Sequence, residues 1–112
     1  MKLVTAILQP AALEQVQVAL ARYGVKGMTV SEVSGYARQR GHKEVYRGEE
    51  FDIDFIAKVR VEVLCTDDEA QAIVDIICTN ARSGHVGDGK VWLIDVEDVV
   101  RIRTGERGTT AV

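Results

Sequence analysis

A chain of 112 residues, 46% hydrophobic and 28% charged, suits one small globular domain rather than a disordered segment. Its 17 acids and 14 bases leave a formal net charge of −3, against bulk nucleic-acid binding, which needs an excess of Lys and Arg; a local basic cluster could still hold a small anion. Cys65 and Cys78 sit in apolar segments without a CxxC pair and read as buried thiols in a reducing compartment, while His42 and His85 lack partners at metal-binding spacing.

In chain order, Leu3 to Leu8 is a short apolar run with β-branched residues, a buried strand. Pro10 suits the first turn of a helix, whose apolar stripe is Leu13, Val16 and Leu20 and whose stop is Gly24. Met28 to Val33 alternates as a second strand. From Gly35 to Asp54 no period is visible; the stretch is basic in its first half and acidic in its second. A loop this long is either functional or a solvated hairpin tip.

Lys58 to Val63 alternates strictly, as a strand with one buried face does. Thr66 and Glu69 have the spacing of a capping box. Ala70, Ile73, Val74, Ile77 and Ala81 mark the buried face of a second helix. After a glycine-rich loop, Val91 to Val96 reads as a fourth strand and Val99 to Arg103 as a short extended piece. The remainder is polar and glycine-containing, like a mobile chain end. The order β-α-β-β-α-β predicts an α+β, ferredoxin-like domain with an antiparallel sheet and both helices on one face. The absence of a basic start followed by a long apolar run predicts neither a leader nor a membrane span.

Gly84 to Lys90 carries the clearest chemistry. Closely spaced glycines let backbone N–H groups gather round an anion, and Lys90 adds a compact charge. The Gly84-x-x-x-x-Gly89-Lys90 spacing approaches a Walker A loop, but Val91 lacks the hydroxyl that would meet Mg²⁺ and the loop leads into a strand. A phosphate cradle of another type and a plain glycine turn both remain. Arg101 and Arg103, two apart on an extended strand, would present two guanidinium forks to one side, and Arg38 and Arg40 repeat that spacing. Two such pairs beside a glycine loop point to a polyphosphate ligand. Lys58 and Gln39 say little by themselves. No Ser/His/Asp or Cys/His set offers a nucleophile and base.

Together these residues resemble the PII signal-transduction family of nitrogen regulators, over nearly the whole chain. The likeness rests on Gly27 to Val30, Arg38-Gln39-Arg40-Gly41-His42, Tyr46-Arg47-Gly48, Asp54-Phe55-x-x-Lys58, Gly87 to Val91 and Arg101 to Glu106. The resemblance implies one domain over 1–112, with a partner-docking T-loop at 37–54, a phosphate-binding loop at 82–90 and a C-terminal segment at 99–112. It implies a cytoplasmic homotrimer, reaching the membrane only through an ammonium channel, with ATP or ADP bound where neighbours meet. Matching nucleotide positions are Ile7, Thr29, Gly35, Arg38, Leu64, Gly87, Asp88, Gly89, Lys90, Arg101 and Arg103. For 2-oxoglutarate they are Gln39, Gly41, Lys58 and Gly87, with Gln39 also helping to hold Mg²⁺.

Tyr46, Arg47, Gly48 and Phe51 match partner-facing positions, the expected partners being an ammonium transporter, regulators of glutamine synthetase or other nitrogen and carbon enzymes, with no nucleic acid. The resemblance implies a non-enzymatic signalling protein; the alternative is a slow nucleotide-hydrolysing enzyme on the same fold. Three departures stand out. Phe51 replaces the tyrosine that receives a nucleotidyl group in relatives, so no modification is expected there. Glu49 replaces a small residue, and Ala37 stands where relatives usually have glycine, which puts 2-oxoglutarate affinity in question.

Overall fold

The computed structural model describes residues 1–36 and 55–112. The loop from 37 to 54, with the expectations placed on it, lies outside the described residues. Strand β1 runs Lys2–Leu8, helix α1 Leu13–Tyr23, β2 Thr29–Gly35, β3 Ile56–Cys65, α2 Asp67–Ala81 and β4 Gly89–Asp95. The four strands form one antiparallel sheet in the order β2-β3-β1-β4. This is the expected α+β, ferredoxin-like arrangement.

The alternation of β1 and β3 builds the core. Val4, Ala6 and Leu8 stand opposite Val63, Val61 and Val59, and all are buried. Val16 and Leu20 of α1 and Ala70, Ile73 and Ile77 of α2 close over them, so both helices cover the same face. Burying a side chain the size of Ile73 stabilises by about 1.5–3 kcal/mol. Cys65 belongs to this core, where burial pushes its thiol up from the ordinary range; Cys78 is half-buried, and the two thiols are free.

The local signals hold with some changes. Pro10 opens a 3₁₀ turn, Pro10–Ala12, that leads into α1, and Gly24 ends the helix in the left-handed region. Thr66 is the N-cap residue of α2, but its side chain makes no capping bond. Instead Asp67, at the first position of that helix, accepts a 2.7 Å hydrogen bond from the N-terminal ammonium, which holds its carboxyl below the usual range.

The segment after β4 departs most. It is not an extended strand followed by a loose end. Only Val100 pairs, bridging Arg107, while Ile102 to Thr104 turn and Gly105 adopts a positive φ of 76°. Gly108–Ala111 forms a closing 3₁₀ turn. Arg107 pairs with Asp98 across the base of this hairpin. Among the described residues no helix is long and apolar enough to cross a membrane.

Candidate functional site

The sheet face away from the helices carries the candidate residues, because cross-strand partners share a face. Its rows follow from the register. Arg60 of β3 lies between Ser31 and Ile7, and Ile7 is opposite Lys90. Lys58 is opposite Val33, one step toward the loop end. Lys58, Arg60 and Lys90 therefore make this end cationic. Toward the other end, the next row is Thr29, Glu62, Thr5 and Trp92, and beyond it stand Leu64, Leu3 and Ile94. That end mixes Trp92, Leu3, Leu64 and Ile94 with the Thr29 and Thr5 hydroxyls and the Glu62 carboxylate, which accepts a 3.4 Å bond from the Thr5 hydroxyl.

At the cationic end two loops meet. The Lys58 ammonium donates to the Gly87 carbonyl at 2.7 Å, and the Gln9 side-chain amide donates to the same oxygen at 2.8 Å. Gly35 abuts the Lys58 stem: a side chain on it would begin 3.8 Å from the Lys58 Cγ. Gly84, Gly87 and Gly89 all have positive φ. The loop is closed by its own carboxylate. Asp88 accepts from the backbone N–H of Ser83 at 2.8 Å and of Gly84 at 2.9 Å, and from the Ser83 hydroxyl. Those bonds, the hydroxyl's first, hold the Asp88 carboxyl below the usual range. The amides of Ser83 and Gly84 are thus engaged within the loop, and Asp88 shapes the loop. As the Val91 to Val96 pattern predicts, the loop leads into a strand and not a helix, with β4 already begun at Gly89 and Lys90.

At the other end a cleft of about 810 Å³ opens, lined among others by Gly27, Thr29, Glu62, Leu64, Thr109 and Val112. Thr29 and Leu64 were expected at a nucleotide base. Glu62 was not singled out, although the strict alternation of β3 places it on the same face as Leu64, and that was the available signal. The cleft's wall mixes apolar side chains with the carboxylates of Glu62 and Glu69 and the ammonium of Lys26.

Arg101 and Arg103 do not stand side by side on a strand. Arg101 forms an ion pair with Glu106 at 2.7 Å within the hairpin. Arg103 sits in the turn, exposed, and pairs with no carboxylate among the described residues. Ile7, Gly35, Lys58, Gly87, Asp88, Gly89 and Lys90 therefore gather at one end of the sheet. Thr29 and Leu64 gather at the other, with the C-terminal hairpin's Thr109 and Val112 on their cleft. Arg38, Gln39, Gly41, Tyr46, Arg47, Gly48 and Phe51 lie outside the described residues. Gln39, the expected Mg²⁺ contact, is among them, and among the described residues no three His, Cys, Asp or Glu side chains gather as a metal set.

The family model for nitrogen regulatory protein P-II matches residues 1–106. The chain is 48% identical over 112 residues to the nitrogen regulatory protein P-II of Klebsiella oxytoca, covering 100% of both. It is 47% identical, again over the whole of both chains, to nitrogen regulatory protein P-II 1 of Escherichia coli K12. Among solved structures, the Arabidopsis thaliana PII bound to citrate superposes with a TM-score of 0.81 at 38% identity, over 99% of this chain and 91% of that one.

Proposed function

The chain belongs to the nitrogen regulatory protein P-II family, and from that premise we propose that it is a non-enzymatic sensor that binds ATP or ADP between neighbouring copies and 2-oxoglutarate beside Lys58. Its regulatory role in nitrogen signalling follows from the family. The ligands, the assembly and the partners are the proposal.

One observation carries it: the two halves of the nucleotide site lie at opposite ends of one sheet. Lys58, bonded to Gly87 of the glycine loop, stands roughly 20 Å from Leu64 along β3 at the usual rise per residue. A single copy therefore does not close one pocket around a base and its phosphates. Two copies do if the cleft of one meets the glycine loop of the next, and a ring of such contacts makes a homotrimer. The apolar side chains at the Leu64 end of the open face suit that role: Leu64, Trp92 and Ile94 are 42%, 43% and 50% exposed in the single chain.

In that arrangement Glu62 accepts from the exocyclic amine of adenine, and Leu64 and Thr29 flank the ring. Lys90 and the arginines of the C-terminal hairpin meet the phosphates. Lys58 has only a neutral acceptor in the Gly87 carbonyl, which a ligand carboxylate replaces with a bond charged on both sides, while Gln9 keeps that carbonyl paired. The bound Mg²⁺ would add positive charge between phosphates and oxoacid. The citrate in the Arabidopsis relative is a carboxylate bound by a P-II protein and supports an anion site here.

Residues 37–54 then carry the signal to partners such as an ammonium transporter or regulators of glutamine synthetase, in the cytoplasm or at the membrane through that channel. Phe51 offers no hydroxyl for nucleotidylation. Titration calorimetry with ATP, ADP and 2-oxoglutarate, with and without Mg-ATP, tests the reading. Expected are nucleotide binding and 2-oxoglutarate binding only with Mg-ATP, the latter lost in Lys58→Ala. No nucleotide binding by a correctly folded trimer overturns it.

A further inference from the structure

We propose that Glu106 is an autoinhibitory strap on Arg101, which phosphate must displace; the inference rests on the nucleotide reading above. The terminal nitrogens of Arg101 are both in use. One donates to the Glu106 carboxylate at 2.7 Å, the other to the Thr110 carbonyl at 3.4 Å. Those two nitrogens form the end-on edge of the guanidinium, one of its bidentate faces for phosphate. Glu106 does not arrive there by chance. Its carboxylate also accepts from the Thr104 hydroxyl at 3.0 Å, and its backbone is fixed to Arg101 by a 2.9 Å bond. The hairpin thus holds a negative charge against a side chain expected to meet a polyanion.

The same arginine links the phosphate end of the site to its base end. Thr110 lies in the closing 3₁₀ turn, and Thr109 of the same turn and Val112 just after it line the cleft beside Thr29 and Leu64. When Arg101 turns to a phosphate, it releases both Glu106 and the Thr110 carbonyl, and the rim of the base cleft loses one of its ties. A ligand without phosphate at that position leaves the strap closed.

Glu106→Gln keeps the size and an acceptor but removes the charge, so the hairpin survives. ATP is then expected to bind about fivefold more tightly, the scale of an exposed ion pair. Thr104→Val, which frees the Glu106 carboxylate from its anchor, is expected to shift affinity the same way but less. In an Arg101→Gln background Glu106→Gln should have no effect, because the strap has nothing to hold. Calorimetry on the wild type, the three single variants and the double variant reads all of this. Wild-type binding with equal or weaker binding by Glu106→Gln overturns the strap and leaves the nucleotide site standing, as does a gain that persists without Arg101. No ATP binding by any of the five proteins removes both.

Discussion

The carbonyl oxygen of Ile7 occupies the place where a side chain on Gly89 would begin. A Cβ there would lie 1.8 Å from that oxygen, and Gly89 has a φ of 110° besides. β1 and β4 pair at this point, Leu8 with Gly89 and Ile7 with Lys90. The glycine is therefore needed for the end of β4 to reach β1, and that pairing sets Lys90 on the open face beside Ile7. Gly89→Ala must push the strands apart. It is expected to destabilise by about 3 kcal/mol and to lower Tm by about 10 °C or more. Gly27 is the control: a Cβ there meets nothing within 4 Å, and Gly27→Ala should stay within about 0.5 kcal/mol of the parent. Thermal unfolding of the two variants side by side checks both.

Acid should open the 83–88 turn before it unfolds the core. The Asp88 carboxyl is held below the ordinary range by the Ser83 hydroxyl and the two backbone amides. A lowered folded-state value means the contribution is complete above the ordinary carboxylate pKa of about 3.9 and is lost as pH falls through the lower folded value. Asp67, lowered by the N-terminal ammonium, adds a parallel loss elsewhere, so a local probe is needed. Amide exchange at Ser83 and Gly84, corrected for intrinsic rates, should stay slow near about pH 5 and quicken toward about pH 2. Asp88→Asn should already be fast at the higher pH and show little further change.

What could be read from the sequence follows the physics of each segment. β1, β3 and both helices announce themselves because one face is apolar at the period of the element, as with Val59, Val61 and Val63 or Ile73 and Ile77. The C-terminal segment misled because Val99 to Arg103 alternates like a strand, whereas the turn is set by Gly105 and by pairs such as Arg101 with Glu106 that no local period encodes. Lys58, mute alone, gains meaning only when folding brings it to Gly87, twenty-nine positions along the chain. Asp88 was legible as a loop residue but not as the acceptor that closes the loop. Glu62 was hidden among alternating charges, and only the register that places it in one row with Thr29 and Thr5 exposes it.

Glu62 should decide which purine enters. Its carboxylate stands on the wall of the cleft with Leu64, and in the proposed site it would attract the exocyclic amine of adenine and repel the carbonyl that guanine carries at that position. Glu62→Gln is expected to weaken ATP binding about tenfold, roughly 1.4 kcal/mol, the loss of a charged hydrogen bond partner. GTP, no longer repelled, should bind no worse than before, so the ratio between the two nucleotides narrows. Competition of both against a fluorescent adenine nucleotide gives that ratio. An equal loss for ATP and GTP would place Glu62 away from the base.

Assembly and nucleotide binding should fail together. Trp92 lies opposite Thr5 on the open sheet face, and Ile94 opposite Leu3 in the next row on the same side. Both are large, apolar and exposed in the single chain. Trp92→Glu would bury an unpaired carboxylate if another copy covers that face, a cost of several kcal/mol, enough to dissociate a small assembly. Light scattering should then move from about three times the 12.3 kDa chain mass to the monomer. ATP affinity should vanish with it, because the base cleft and the glycine loop of one copy stand at opposite ends of its own sheet. Val18→Glu, an equally exposed apolar position on α1 outside that face, separates this from a general effect of added charge. It should leave mass and ATP binding unchanged. A Trp92→Glu monomer that still bound ATP at full strength would mean that each chain completes its own pocket, with the loop of 37–54 or the C-terminal hairpin supplying what the sheet alone does not.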